Sequence, residues 1–227
     1  MNMLEDNYRQ ALESIERICN DCGRDASEVK LVCVSKTVGP DTVGEALASG
    51  MRVFGENRAQ DFDVKQARFP DAEWHFIGRI QTNKLKLVVG RAALIHSVSS
   101  VHALQAIERL ASRADIVQDV LFEVNASGEE SKDGFSPDDL PSAFDAMVDC
   151  THVRACGLMT MAPHGDSMRA RESFGRLRAL RATYGARYEG AANIVMKELS
   201  MGMSEDYGIA LEEGATIIRL GRSIFGF

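Results

Sequence analysis

The sequence predicts a single (β/α)8 TIM barrel with an extra N-terminal helix, one domain spanning residues 1–227. Eight short apolar or β-branched runs alternate with stretches whose apolar residues recur at i, i+3 and i+4. That rhythm calls for a parallel sheet, and eight such units close naturally into a barrel. The rival, an open doubly wound sheet, needs a glycine-rich turn after its first strand. Ser35-Lys-Thr-Val-Gly39 stands there instead. The composition is that of a globular domain, with 227 residues, 45% of them hydrophobic and 26% charged. These values exclude disordered, collagen-like and disulfide-dense classes.

Taken in order, an amphipathic helix at about 4–19 precedes the first strand, 31–35. Further strands are expected at 52–55, 73–77, 94–98, 120–124, 153–159, 198–200 and 216–220. Helices are expected at 41–49, 58–67, 81–89, 101–112, 137–148, 167–184 and 204–213. In the helix at 101–112, Val101, Leu104, Ile107 and Leu110 fall on one face. No linker, low-complexity tract or internal repeat interrupts the series.

Twenty-six Lys and Arg against 33 Asp and Glu give a net charge of −7. No global cationic field exists to recruit nucleic acid or an anionic membrane, so any anion site must be local. The acidic start lacks the basic flank and apolar core of a secretory signal. No apolar run approaches the ~18 residues that span a bilayer. Five cysteines cannot all pair within the chain, and a reduced, cytoplasmic protein with free thiols is expected.

Chemistry on a barrel sits at the C-terminal ends of the strands. Lys36 ends the first strand, where partial desolvation would favour the neutral, nucleophilic amine that forms a Schiff base; the alternative is a solvated lysine marking the strand end. Barrels often bind phosphate with the loops after strands seven and eight. Here those loops are Ser200-Met-Gly-Met-Ser204 and Gly221-Arg222-Ser223. Gly202 and Gly221 let backbone amides approach an anion, Ser200 and Ser204 add hydroxyls, and Ser204 is a candidate N-cap of the next helix. Alternatively the serine only caps and the glycines only turn the chain. Arg219 lies inside the apolar run 216–220, where an unpaired charge is costly. It needs either a carboxylate within the barrel or the ring nitrogen of a heterocycle, as in pyridoxal phosphate (PLP) sites that place an Asp or Arg there.

Other signals are weaker. Cys19-Asn-Asp-Cys22 is a lone C-x-x-C without a second pair or neighbouring histidine. His75, His96, His102, His152 and His164 show no metal-binding spacing and read as packed or surface residues. Arg79, Lys84 and Lys86 read as a solvated helix face, and Met159 and Met161 as core filling.

Seven segments in order carry a family resemblance along nearly the whole chain. They are Val34-Ser-Lys-Thr37; Phe54-Gly-Glu-Asn-Arg58; His75-Phe-Ile-Gly78 with Gln81-Thr-Asn-Lys84; Val124-Asn125 with Gly128-Glu-Glu-Ser-Lys-Asp-Gly134; Gly157-Leu-Met-Thr-Met161; Leu199-Ser-Met-Gly-Met-Ser204; and Arg219-Leu-Gly-Arg-Ser-Ile-Phe-Gly226. Together they resemble the YggS-like pyridoxal phosphate homeostasis proteins, relatives of the barrel domain of alanine racemase. The resemblance implies a type III PLP barrel with Lys36 as the Schiff-base lysine, Asn57 on the ring side and Arg219 facing the pyridine nitrogen. Ser200, Ser204 and the Gly221-Arg222-Ser223 turn would hold the phosphate. The family usually places a small hydroxyl residue directly after the glycine of that turn, whereas Arg222 stands here. Small residues usually stand at the positions of Cys19 and Cys22, which favours a structural role for both.

Racemisation needs proton-transfer groups on both faces of the substrate. In enzymes resembling alanine racemase the second is a tyrosine from a C-terminal β domain; the sequence here stops at Phe227, and no such domain is expected. Tyr8, Tyr184, Tyr188 and Tyr207 stand at no predicted strand end. The expected function is storage, buffering or delivery of PLP by a cytoplasmic monomer, with apo PLP-dependent enzymes as recipients. A weak amino-acid racemase is the second hypothesis, and a Schiff-base aldolase on a phosphorylated sugar the third.

Overall fold

The computed structural model describes residues 3–129 and 133–226. Eight parallel strands close into a barrel in sequence order: β1 (Lys30–Val34), β2 (Val53–Glu56), β3 (Glu73–Phe76), β4 (Leu94–Val98), β5 (Gln118–Glu123), β6 (Val153–Met159), β7 (Ile194–Ser200) and β8 (Ile217–Leu220). The closing seam pairs β1 with β8, in a register that sets Val32 opposite Arg219 and Cys33 opposite Leu220. The outer layer consists of α1 (Met3–Asp21), α2 (Pro40–Ala48), α3 (Ala59–Arg68), α4 (Val101–Ala114), α5 (Leu140–Val148), α6 (Ser167–Arg187), α7 (Tyr207–Glu212) and α8 (Arg222–Phe225). Within the family segment 128–134, residues 130–132 lie outside the described residues.

Two apolar layers follow from the alternation of side chains along each strand. Inside the barrel Val32, Leu94, Leu121, Met159 and Ile217 pack together. Outside, the strands meet the helices in one large core that includes Trp74, Phe54, Phe62, Phe122 and Phe144. Gly55 faces the crowded interior from β2, where an added Cβ would lie 2.8 Å from Val32 Cγ1.

Helix starts follow local chemistry. Ser100 caps α4 by accepting from the Ala103 amide at 3.2 Å, and Asp166 caps α6 by accepting from Arg169 at 3.0 Å. Three expectations are corrected. The helix expected from 137 begins at Leu140, because Pro141 is tolerated only in a first turn. Residues 81–89 form a short 3-10 helix, Thr82–Leu87, anchored in the core by Leu85. Strand seven starts four residues earlier than expected, at Ile194, because the solvent-facing Lys197 interrupts the apolar run.

The end of β1 is held by a buried ion pair. Glu56 and Lys65 are almost fully enclosed and bonded to each other. Ser35 Oγ donates to Glu56 Oε1 at 2.7 Å, and Lys65 Nζ donates to the Ser35 carbonyl at 2.8 Å. The residue before Lys36 is thereby tied to both β2 and α3. Glu56 Oε2 has no hydrogen-bond partner among the described residues, so the carboxylate depends on Lys65. Lys65→Met should destabilise the protein by about 3–5 kcal/mol, as expected when one partner of a buried pair is removed. Adding Glu56→Leu should restore much of that loss. Urea unfolding of both variants checks this, and a double variant no more stable than the single one would contradict it.

Candidate functional site

At the C-terminal rim of the barrel, the ends of β1, β6 and β8 and the loops that follow β1, β2, β3, β6, β7 and β8 surround a cavity of about 650 Å³. Lys36, Asn57, Ser204, Arg219, Gly221 and Arg222 all line it. Lys36 sits in the turn directly after β1 and is exposed, not desolvated as expected. Asn57 follows β2 and is also exposed. Its backbone fixes the neighbouring loop: a Cβ on Gly78 would lie 1.9 Å from the Asn57 carbonyl, so only glycine permits this approach.

Arg219 lies inside the barrel at 5% exposure. The partner its burial demanded is not a carboxylate. Its guanidinium donates to Ser200 Oγ and, at 3.0 Å, to the Thr160 carbonyl. Burial brings its pKa down to about 10, opposed by the charges of Asp206 and Glu123. It remains a cation at neutral pH, held by neutral acceptors beside the cavity.

Ser200 is placed differently from the expectation. It is fully buried, off the cavity lining, and its hydroxyl is engaged by Arg219 and by His96 Nδ1 at 2.8 Å. A side chain that points into the barrel core cannot also face the loops above, so its role here is to support Arg219. Ser204 is not a helix cap either. Asp206 occupies that position, and its carboxylate turns back to accept from the Met203 amide at 2.6 Å, closing 204–206 into a turn. The Ser204 hydroxyl instead lies 3.3 Å from that of Ser223, joining the loop after β7 to the first turn of α8. Gly202, at φ +96, makes the first loop possible, since a Cβ there would lie 2.6 Å from that of Ala210. The Arg222 guanidinium pairs with Glu205, which also holds His164 at 2.7 Å.

Several lining residues carry no readable signal in the sequence. Met159 fills core as expected while also forming part of the cavity wall, whereas Met161, expected in the core as well, is 42% exposed at the cavity mouth. Arg79 stands in a loop on the same wall, not on a helix face, with Asp133 at 3.4 Å. Glu123, buried at the end of β5, escapes sequence reasoning because a single glutamate ending a strand looks ordinary. Burial pushes its pKa up to about 7, Asp133 adds to the rise, and Arg219 and Arg79 oppose it.

Cys19 is buried and Cys22 exposed, and all five cysteines are free. No group of three metal-ligating side chains occurs among the described residues. No described helix is long and apolar enough to cross a membrane.

The sequence and its barrel match a known class. The alanine racemase N-terminal domain family matches residues 10–227. A pyridoxal phosphate homeostasis protein of Aquifex aeolicus is 42% identical over 229 residues, covering 100% of this chain and 98% of the relative. A solved structure from Bifidobacterium adolescentis superposes with a TM-score of 0.91 at 32% identity, covering 98% and 94% of the two chains. PipY of Synechococcus elongatus, solved with PLP bound, gives a TM-score of 0.80 at 32% identity over 93% and 99%. Within the alanine racemase N-terminal class, the chain belongs to the family of pyridoxal phosphate homeostasis proteins.

The raised pKa of Glu123 makes stability depend on pH. Its folded pKa of about 7 exceeds the ordinary 4.5, so its contribution to stability is fully present below pH 4.5 and is lost as pH rises through 7. Relative to Glu123→Gln, the natural protein should lose up to about 3 kcal/mol between pH 4.5 and pH 8, because each tenfold change in proton affinity between the folded and unfolded chain is worth ~1.4 kcal/mol. Denaturant titrations at both pH values check this; an unchanged difference would exclude the raised pKa.

Proposed function

We propose that this chain binds pyridoxal 5'-phosphate in the cavity at the barrel mouth and stores or delivers it, without efficient turnover of amino acids. The observation that carries the reading is the convergence of Lys36, Arg219, Ser204 and the 221–223 turn on one cavity. The donor set suits the cofactor's parts. Lys36 offers an amine to the aldehyde and Arg219 offers N–H donors to the ring nitrogen. Ser204, Ser223 and the amides opening α8 suit a phosphate, because first-turn amides have no acceptor within their own helix. Asn57 stands beside the ring position. Arg222, paired with Glu205, would contribute through its backbone and its charge. When bound, PLP supplies an electrophilic aldehyde carbon and a conjugated ring that withdraws electrons.

The chain's own residues favour holding over turnover. An arginine can only donate, so Arg219 suits a ring nitrogen that stays unprotonated, which weakens electron withdrawal. None of the tyrosines lines the cavity. Tyr207 bonds Ser14 at 2.9 Å, Tyr184 and Tyr188 stack on Phe144, and Tyr8 belongs to α1. A carrier of this kind would work in the cytoplasm as a one-domain monomer, with apo PLP-dependent enzymes as recipients.

Borohydride reduction of the PLP-loaded protein followed by peptide mapping should place a phosphopyridoxyl mass on Lys36 and on no other lysine. A label elsewhere, or none, would refute the assignment. Ser204→Ala with Ser223→Ala should weaken PLP binding about 5- to 10-fold per charge-assisted hydrogen bond lost, while leaving the binding of unphosphorylated pyridoxal unchanged. Equal losses for the two vitamers would place the phosphate elsewhere.

Delivery is tested separately from binding. The loaded protein should activate an apo PLP-dependent enzyme while exchanging the α-proton of L-alanine in deuterated buffer at least about 10²-fold more slowly than a dedicated racemase, since one positioned acid–base group is worth that much. Rapid conversion of L- to D-alanine, abolished by Lys36→Ala, would make the protein a racemase.

A further inference from the structure

A line of hydrogen bonds crosses the barrel interior from rim to rim. At the N-terminal rim, Lys30 Nζ donates to Glu73 Oε1 at 2.6 Å, and His75 Nε2 lies 2.8 Å from the same oxygen. His75 Nδ1 is 2.8 Å from His96 Nε2, and His96 Nδ1 is 2.8 Å from Ser200 Oγ. Arg219 closes the line at the opposite rim by donating to Ser200 Oγ. His75, His96 and Ser200 are at most 1% exposed, whereas Glu73 and Lys30 reach solvent.

The two charged ends fix the direction of every bond between them. Arg219 can only donate, and an ionised Glu73 can only accept. With Arg219 donating to Ser200, the hydroxyl proton points to His96 Nδ1. His96 then carries its proton on Nε2 and donates to His75 Nδ1, and His75 donates from Nε2 to Glu73. Every contact is satisfied with both rings neutral and in the same tautomer. Burial lowers the pKa of both rings, His96 the more strongly. The bond from His75, with help from Lys30, holds Glu73 at about 2.

We propose that Glu73, on the rim opposite the cavity, is a remote positioning residue: through His75 and His96 it sets which way the Ser200 hydroxyl proton points, and so how the oxygen that receives the Arg219 guanidinium is presented and where the remaining N–H donors aim. No proton has to move; the line acts by orientation. The consequence for a bound cofactor rests on the proposed PLP reading, whereas the line itself belongs to the ligand-free chain. Because Lys30 and His75 meet the same Glu73 oxygen, a glutamine there could accept both bonds unchanged, whereas Glu73→Lys leaves only a donor to face His75 Nε2. Both rings can then reverse, leaving Ser200 to receive from His96 and Arg219 at once.

Nitrogen-15 NMR of the ligand-free protein tests this. In the natural protein both rings should be neutral with the proton on Nε2. In Glu73→Lys, His75 and His96 should shift toward the Nδ1-protonated form, and the Arg219 side-chain resonances should move with them. Lys30→Met, which removes the outer charge but leaves the acceptor, should keep the natural tautomers. A charged or Nδ1-protonated ring in the natural protein, or unchanged His96 and Arg219 resonances in Glu73→Lys, would overturn the proposal, as would Lys30→Met reversing the rings. In the loaded protein, Glu73→Lys should shift the visible band and speed PLP release about 5- to 10-fold; an unchanged band and release rate would overturn the positioning role. A natural protein that takes no borohydride label at Lys36 would count against the PLP reading alone, since the ring tautomers are read without ligand.

Discussion

Closure of β1 onto β8 is the constraint on which the site depends. That seam sets Val32 opposite Arg219, two residues below the end of β1, and brings Lys36 and Arg219 to one cavity although they are far apart in sequence. A guanidinium inside a barrel would ordinarily be paired with a carboxylate. Here its acceptors are a hydroxyl and a carbonyl. Neutral acceptors meet its hydrogen-bonding needs without cancelling its charge, so a cation lines the cavity although the protein as a whole is acidic.

The same division governs the barrel interior. One part is apolar packing around Val32, Leu94, Leu121, Met159 and Ile217. The other is a polar line whose members are satisfied by each other. Buried polar groups arranged this way specify one geometry, because reversing any member leaves a donor facing a donor.

The strand–helix rhythm is legible in the sequence because its signals are local: β-branched runs, capping serines and aspartates, and helical spacing. Lys36, Asn57, Arg219 and Gly221 are legible because they close or follow strands. Ser200 is not, because sequence does not tell which way a strand-end side chain turns, and its inward turn is decided by Arg219 and His96 from other strands. Ser204 looks like a cap in sequence, but Asp206, two residues on, competes for the same function. His75 and His96 lack a motif since they meet across neighbouring strands, and Glu123 acquires its character from burial that spacing cannot reveal.

The seating of α1 has its own consequence. Asn7 Nδ2 donates to the Ile224 carbonyl of α8 at 3.0 Å, and Ser14 meets Tyr207 of α7. The helix that precedes β1 thus braces the two short helices on either side of β8, one following the turn at Ser204 and the other containing Ser223. A growing chain possesses neither the seam nor this brace until β8 has emerged and docked. The cavity therefore exists only in the closed barrel, and a ligand that needs both loops can be retained only by a molecule that has completed it, which makes ligand retention a mark of a finished fold.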